Sequence, residues 1–322
     1  MKTALIIGIS GQDGAYLAKH LLESNYIVIG TSRDAERNQL TNLKHLKIDR
    51  DIVIDSMSTS DFRSVAQVFQ KHSPDEVYNL SGQSSVGLSF GQPGETIESH
   101  LQATITILEV IKFLELPIRF YNACSSECFG DVDPSNPANE LSPFRPKSPY
   151  AVGKAAAFWA VANYRDAYGL FACSGILGNH ESILRPKRFV TQKIISAVKN
   201  IASGKQSKLL LGDVSVIRDW GLSSEYVQAM RLMLQQENAE DFVIASGQSH
   251  SLLYFVEKAF EHHDLKASNY INYNQDLLRP SDRRASYLDP SKAKRLMNWE
   301  ASANLEGIIE ELYSNPNEIS LT

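Results

Sequence analysis

The sequence predicts an α/β protein, a doubly wound parallel sheet with a smaller, interleaved second domain toward the C-terminus. Three observations carry this. Short β-branched runs alternate strictly with longer amphipathic stretches through the first half of the chain. A glycine-rich turn stands directly after the first run, and the regular pattern dissolves after Tyr168 with no flexible linker to mark a break. Strict alternation means βαβ units and a parallel sheet. Right-handed crossovers then place the ligand crevice at the carboxyl ends of the strands.

Taken in order, residues 4–8, 27–31, 52–55, 76–79 and 119–123 read as strands, with amphipathic helices at 15–23, 61–72 and 98–114. Beyond Tyr168, residues 171–176 read as another strand and 189–202 as a helix. Residues 208–211, 241–245 and 270–271 are short strand candidates among loops containing Gly, Pro and Arg. The expected division is a first domain from 1–171 plus about 214–248 and a second from about 172–213 plus 249–322.

Composition narrows the classes of function. The 322 residues are 43% apolar and 21% charged with a net charge of −5, which fits an ordinary globular chain rather than a disordered one. A dedicated nucleic-acid binder would carry a basic face, and this balance argues against one. Cys124, Cys128 and Cys173 are too few for a disulfide framework and have no Cys/His partners in the sequence, so no metal site is expected. No apolar stretch reaches the roughly 18 residues of a membrane span, and the N-terminus lacks a signal-peptide cleavage pattern. The expectation is a cytoplasmic protein with no membrane partner.

Gly8, Gly11 and Gly14 follow the first strand in the spacing G-x-x-G-x-x-G and open a helix, with Gln12 and Asp13 inside the turn. Glycines there permit a tight turn and close approach of a pyrophosphate, and the helix N-terminus supplies free N–H groups. Position after the first strand turns a weak spacing into a nucleotide-binding signal. At the end of strand two, Ser32 stands where an acid would hold the 2′-hydroxyl of NAD, and Arg33 follows. That favours NADP over NAD, although Asp34 is an unwelcome neighbour for a phosphate, and Arg33 and Arg37 also read as solvated loop charges. Asp55, at the end of strand three, fits either the adenine amino group or the cap of the next helix.

The chemistry points to a second cluster. Tyr150 and Lys154 are i and i+4 at the start of a long helical pattern, so their side chains share a face. A phenol is a poor base at neutral pH, and a nearby ammonium together with a positively charged cofactor ring is expected to lower its pKa. Lys154 is also placed to hydrogen-bond the nicotinamide ribose. Ser125, Ser126 and Glu127 end strand five at the carboxyl edge of the sheet. Ser125 can share a substrate hydroxyl proton with Tyr150. Glu127 tells more, because plain hydride transfer needs no carboxylate, whereas removing a proton α to a new ketone does. The plainer reading makes Glu127 a loop cap or salt-bridge acid.

These segments together resemble the extended short-chain dehydrogenase/reductase family, and within it the GDP-mannose 4,6-dehydratases. The resemblance runs over nearly the whole chain. It includes the glycine turn, Tyr78–Leu80 with Gln83 and Ser84, Ser125–Glu127, Tyr150 with Lys154, Gly175–Leu177, Asn179–Ser182, Phe189–Thr191, Arg218–Gly221, and Arg279 with Pro280. It implies a Rossmann-type NADP-binding domain and a sugar-nucleotide-binding domain. Ser125, Glu127, Tyr150 and Lys154 would be catalytic. Leu80 and Arg185 would lie by the cofactor. Ser84, Asn179, Lys193, Arg218, Arg279 and Asp282 would hold a GDP-hexose or GDP-heptose. Departures are Ser125 for Thr, Gly178 for an aromatic residue, Asp34 for Arg, Ile183 for Pro and Asp282 for Glu.

The implied reaction is a 4,6-dehydration, with C4 oxidised, water eliminated across C5 and C6, and the hydride returned to C6. NADP would therefore stay tightly bound and be recycled. A 4-ketosugar reductase or 4-epimerase on the same fold is the nearest alternative, and a non-catalytic NADP-sensing regulator a remote one. The helices at 98–114 and 148–168 resemble the pair that builds the family's homodimer or homotetramer. Ala155, Ala156, Ala157 and Ala160 would pack there or against the chain's own sheet.

Overall fold

The computed structural model describes residues 1–314. In chain order the strands are β1 (Thr3–Ile7), β2 (Ile27–Ser32), β3 (Val53–Ser56), β4 (Glu76–Asn79), β5 (Arg119–Ser125) and β6 (Ala172–Leu177). There follow β7 (Asn179–Glu181), β8 (Leu209–Leu211), β9 (Ile217–Leu222), β10 (Phe242–Ile244), β11 (Ser249–Ser251) and β12 (Ile271–Tyr273). Seven of them form one sheet in the order β10-β6-β5-β4-β1-β2-β3, and every pairing in it is parallel.

The apolar run of β1 explains the double winding. Successive side chains point to opposite faces. Ala4 and Ile6 pack with Leu17 and Leu21 of helix Gln12–Glu23 and Met230 of helix Ser223–Met233. Leu5 and Ile7 pack with Phe69 of helix Phe62–His72 and Ile107 and Ile111 of helix Ala103–Phe113. A strand covered on both faces must be apolar throughout, which is what made it legible.

A separate core joins helices Val190–Ala202, Leu252–Glu261 and Leu305–Tyr313 through Ile194, Val198, Phe255, Phe260, Ile308 and Leu312. Beside it lie a β11-β9-β7 sheet and a β12-β8 pair. The expected boundary at residue 171 cuts the large sheet, because β6 pairs with β5 from Phe120 to Ser125 and is buried along its whole length. The first unit therefore runs through Leu177. Likewise β9, expected in the first domain, lies in the three-stranded sheet. Residues 315–322 of the expected second domain lie outside the described residues.

Local chemistry sets the ends of the helix that matters most. Ser148 caps helix Pro149–Tyr168, its hydroxyl accepting the Ala151 N–H at 3.1 Å, and Pro149 fills the first turn. Tyr150 is thereby fixed in that turn, beside the end of β5. The expected helix 98–114 is longer and less regular: a π-helical turn, Glu98–Gln102, joins Pro93–Ile97 to Ala103–Phe113. Such turns are rare and occur mostly at functional sites.

Candidate active site

The glycine turn has the tightness its spacing implied. Gly8 has φ +92°, and a Cβ there would sit 2.9 Å from the Leu80 carbonyl oxygen. A Cβ on Gly14 would lie 2.7 Å from the Ile9 Cα, so helix and strand meet backbone to backbone. The Gly11 N–H closes the turn onto the Gly8 carbonyl at 3.1 Å.

Gln12 and Asp13 face inward and tie this turn to β7. The Asp13 carboxylate meets His180 Nε2 at 2.9 Å and accepts the Ser223 hydroxyl at 2.8 Å. Gln12 accepts the Ser182 hydroxyl at 2.9 Å. Burial opposes charge on both members of the Asp13–His180 pair, yet their attraction overcomes it. Asp13 is held well below the usual carboxylate range and the His180 pKa is raised. The other His180 nitrogen faces the Gly178 carbonyl at 2.8 Å, so both ring nitrogens meet acceptors, as an imidazolium requires.

At the end of β2, Arg33 is exposed. Asp34 is turned toward Arg37, accepting its N–H at 3.1 Å with the guanidinium at 3.7 Å. Asp55 does not cap the following helix. Asp61 does, accepting the Arg63 N–H at 2.9 Å, because it is the residue directly before that helix. The Asp55 carboxylate instead meets Lys71 at 2.7 Å and His72 at 2.9 Å.

A cleft of about 770 Å³ opens at the carboxyl ends of the strands. Ser125, Glu127, Tyr150 and Lys154 all line it. So do Asp13, Leu80 and Arg185. The candidates Ser84, Asn179, Lys193, Arg218, Arg279 and Asp282 complete the wall on the other side. Gly8, Gly11, Gln12, Gly14, Arg33 and Asp55 are not among its lining residues. Arg185 donates to the His180 carbonyl at 3.0 Å and stacks 4.0 Å over Phe189.

Of the two influences expected to lower the Tyr150 pKa, the structure bears on the ammonium. Burial pushes the phenol's pKa upward, and a hydrogen bond with Ser125 is the influence that lowers it. Lys154 does not act as its close cationic partner. The ammonium is 5.9 Å from the ring centroid and donates to the Ala123 carbonyl at 2.7 Å, and burial lowers its own pKa. The phenol and the Ser125 hydroxyl are hydrogen-bonded partners in the cleft.

Glu127 is neither solvated nor a cap, since Ser125 accepts the Glu127 N–H at 3.3 Å and caps the turn itself; of the plainer readings, the salt-bridge acid is the one the structure meets. Its side chain is 13% exposed, with one oxygen 3.0 Å from Arg283 Nη2 and 4.0 Å from Arg218 Nε. Burial alone would raise its pKa; Arg283, Arg218 and Arg279 outweigh this and hold it below the usual carboxylate range. Asp282 accepts from Arg218 at 2.9 Å and Arg279 at 3.1 Å, clamping two guanidiniums side by side.

Two residues escaped the sequence reading. Arg283, 1% exposed, lies behind Glu127; the only signal was a second basic pair following Arg279 and Pro280. His100, carried by the π-helical turn, stands edge-on to Tyr150 with ring centroids 5.3 Å apart, and no sequence signal marked it. At Gly178 a Cβ would meet the Tyr226 hydroxyl at 3.1 Å and Leu288 at 3.2 Å, so an aromatic side chain fits only if these move. The three cysteines are buried, with the Cys124 and Cys128 sulfurs 3.8 Å apart.

Comparisons with known proteins place the chain in a family. The family model for GDP-mannose 4,6 dehydratase matches residues 5–312. GDP-mannose 4,6 dehydratase 1 of Arabidopsis thaliana is 38% identical, covering 99% of this chain and 91% of its own. The GDP-mannose 4,6-dehydratase of Sinorhizobium fredii is 43% identical over 81% of this chain and 76% of its own. Among solved structures, dTDP-glucose 4,6-dehydratase of Bacillus anthracis superposes with a TM-score of 0.86 at 19% identity, covering 99% of this chain and 98% of its own, a likeness of fold. The chain belongs to the GDP-mannose 4,6-dehydratase family.

Proposed function

We propose that the chain is a nucleotide-sugar 4,6-dehydratase, a hydro-lyase that converts GDP-mannose or a closely related GDP-sugar into the GDP-4-keto-6-deoxy sugar. Glu127 carries this reading. A carboxylate shares one cleft with Tyr150, Ser125 and Lys154, where oxidation and reduction alone would need no base for a C5 proton.

The residues fit a dinucleotide. The turn from Gly8 to Gly14 leaves backbone where side chains would intrude and opens helix Gln12–Glu23, a site for a pyrophosphate. Ser32 offers no carboxylate to a ribose 2′-hydroxyl, and exposed Arg33 suits a 2′-phosphate, so NADP is preferred over NAD. Asp55 stands at the end of β3 for the adenine, with Leu80 and Arg185 nearer the reacting end. When bound, the nicotinamide would supply reversible hydride storage, so no reductant would be consumed over the cycle.

The chain's own residues manage position and protons. To receive the C4 hydroxyl proton, Tyr150 must be phenolate, a form that the Ser125 hydroxyl and the positive ring of a bound nicotinamide would favour, and Lys154 orients the nicotinamide ribose. Glu127 takes the C5 proton made acidic by the adjacent ketone and passes it to the C6 hydroxyl, which departs as water; C5 takes up a proton when C6 regains its hydrogen, and this balances the one that Tyr150 received from C4. Arg218 and Arg279, paired by Asp282, grip the diphosphate with Lys193. Ser84 and Asn179 complete the sugar and nucleotide contacts.

The first unit, 1–177 with the helix and strand between 223 and 244, holds the cofactor, and the rest holds the sugar nucleotide. Among the described residues no helix is long and apolar enough to cross a membrane, and we place the enzyme in the cytoplasm. Ala155 and Ala157 are buried within the chain, whereas Val152 (43%) and Trp159 (61%) are exposed on the same helix. That face supports a homodimer or homotetramer. Incubation with GDP-mannose and NADP tests the function: the product must weigh one water less. Stoichiometric NADPH consumption, or a product of unchanged mass, would instead assign a reductase or epimerase.

A further inference from the structure

We propose that Arg283 is a positioning residue of the elimination step, fixing the Glu127 carboxylate in the cleft wall and keeping it anionic. The inference rests on the proposed dehydratase chemistry and adds a residue to it. The Arg283 side chain is wholly buried and is not among the residues that line the cleft, whereas Glu127 is. It therefore stands behind the carboxylate, where it touches the base and not the substrate.

Its anchorage is specific. Nη1 donates to the Ser126 carbonyl at 2.7 Å, and Nη2 lies 3.0 Å from Glu127 Oε1. The backbone of one residue and the carboxylate of the next are thus held by a single planar group, which a flexible ammonium does not reproduce. Among the described residues Arg283 Nε and Nη2 have no hydrogen-bond partner, so Nη2 meets Glu127 as an ion pair, and a guanidinium buried on those terms needs its counter-charge.

The consequence is chemical. Glu127 must be ionised to take the C5 proton, yet burial favours its neutral form. Arg283 is the foremost of the charges opposing that. Once the carboxyl is protonated its attraction to Arg283 is lost, so the proton is readily given up to the departing C6 hydroxyl. One C5–H bond and one C6–O bond break, a C5–C6 double bond forms, and Glu127 ends as it began. The other groups facing it are Arg218 on β9, Arg279 and Asp282 in the loop before Arg283, and Tyr150 on its helix. Asp219, whose carboxyl also responds to Arg283, is the second buried acid nearby.

The test compares pH profiles of kcat for the parent, Arg283→Met, Arg283→Gln and Arg283→Lys, each loaded with NADP. The neutral variants should lose turnover while KM stays near the parent's. Their acid limb should rise by about one pH unit or more, the scale of losing one adjacent charge. Lys should restore part of the shift, and Asp219→Asn should leave the limb in place. Gln can still donate to the Ser126 carbonyl and serves if Met does not fold. A folded neutral variant with the parent's limb, or with activity lowered equally at every pH, overturns the proposal. Absence of dehydrated product from the parent overturns the dehydratase reading instead, so the two failures are separable.

Discussion

Replacing Glu127 by Gln separates elimination from oxidation. The change keeps the shape and one oxygen for Arg283 but removes the negative charge 3.0 Å from Nη2. Two costs follow and are measured apart. Stranding one member of a buried ion pair costs about 3–5 kcal/mol, and the amide oxygen left for Arg283 puts this case toward the lower end. That cost is read as a fall in melting temperature. The catalytic cost is about 10²–10⁴-fold in turnover, the scale of one positioned acid–base group. At about 1.4 kcal/mol per decade this is roughly 3–5.5 kcal/mol of barrier. The cofactor's absorbance and mass spectrometry of the sugar nucleotide follow the two halves. Tyr150, Ser125 and Lys154 are untouched, so substrate should still partly reduce bound NADP, after which no water is lost. Unfolding damages both halves together and cannot produce that split. A folded variant that makes 4-keto-6-deoxy product at near the parent's rate would refute Glu127 as the base.

Three further outcomes are expected. Arg33→Ala should weaken NADP binding roughly 10- to 100-fold, the worth of one charge-assisted hydrogen bond, and leave NAD nearly unchanged; equal parent affinity for the two cofactors, measured by titration, sinks this. His180→Gln should be less stable than the parent by about 1.5–3 kcal/mol, most of all between the ordinary values of Asp13 (3.8) and His180 (6.5). The sign follows from linkage: the raised His180 contribution is lost as pH climbs through its folded pKa, and the depressed Asp13 contribution as pH falls through its own. Denaturant melts giving a stability gap that does not vary with pH would show the pair to be uncharged. Cys128→Ala should fold and retain turnover, since its buried thiol only packs and donates weakly to the Ala151 carbonyl at 3.6 Å; lost turnover with normal cofactor binding would make the thiol chemical.

The first half of the fold was legible because both faces of its sheet are covered. Residues such as Leu5 and Ile6 must then be apolar in an unbroken run, and their turns carry glycine. The strands β7, β9 and β11 were not foreseen. They are short and hold polar residues such as His180, Arg218 and Asp219, buried only because tertiary partners satisfy them. No periodicity announces a strand of that kind. That Ser125, Glu127, Tyr150 and Lys154 would share one cleft was legible from local spacing and sheet position. Arg283 and the Asp13–His180 pair were not, because each depends on residues more than 150 positions apart. For Tyr150, a spacing of four puts Lys154 on the same helix face but cannot say that its ammonium turns to the Ala123 carbonyl.

The central claim is that one hydride leaves C4 and returns to C6 of the same sugar. Incubating the NADP-loaded protein with GDP-mannose carrying deuterium at C4 tests it most directly. The account predicts a product lighter by one water, with the deuterium at C6. Deuterium still at C4, or lost from the sugar into released cofactor, would contradict it.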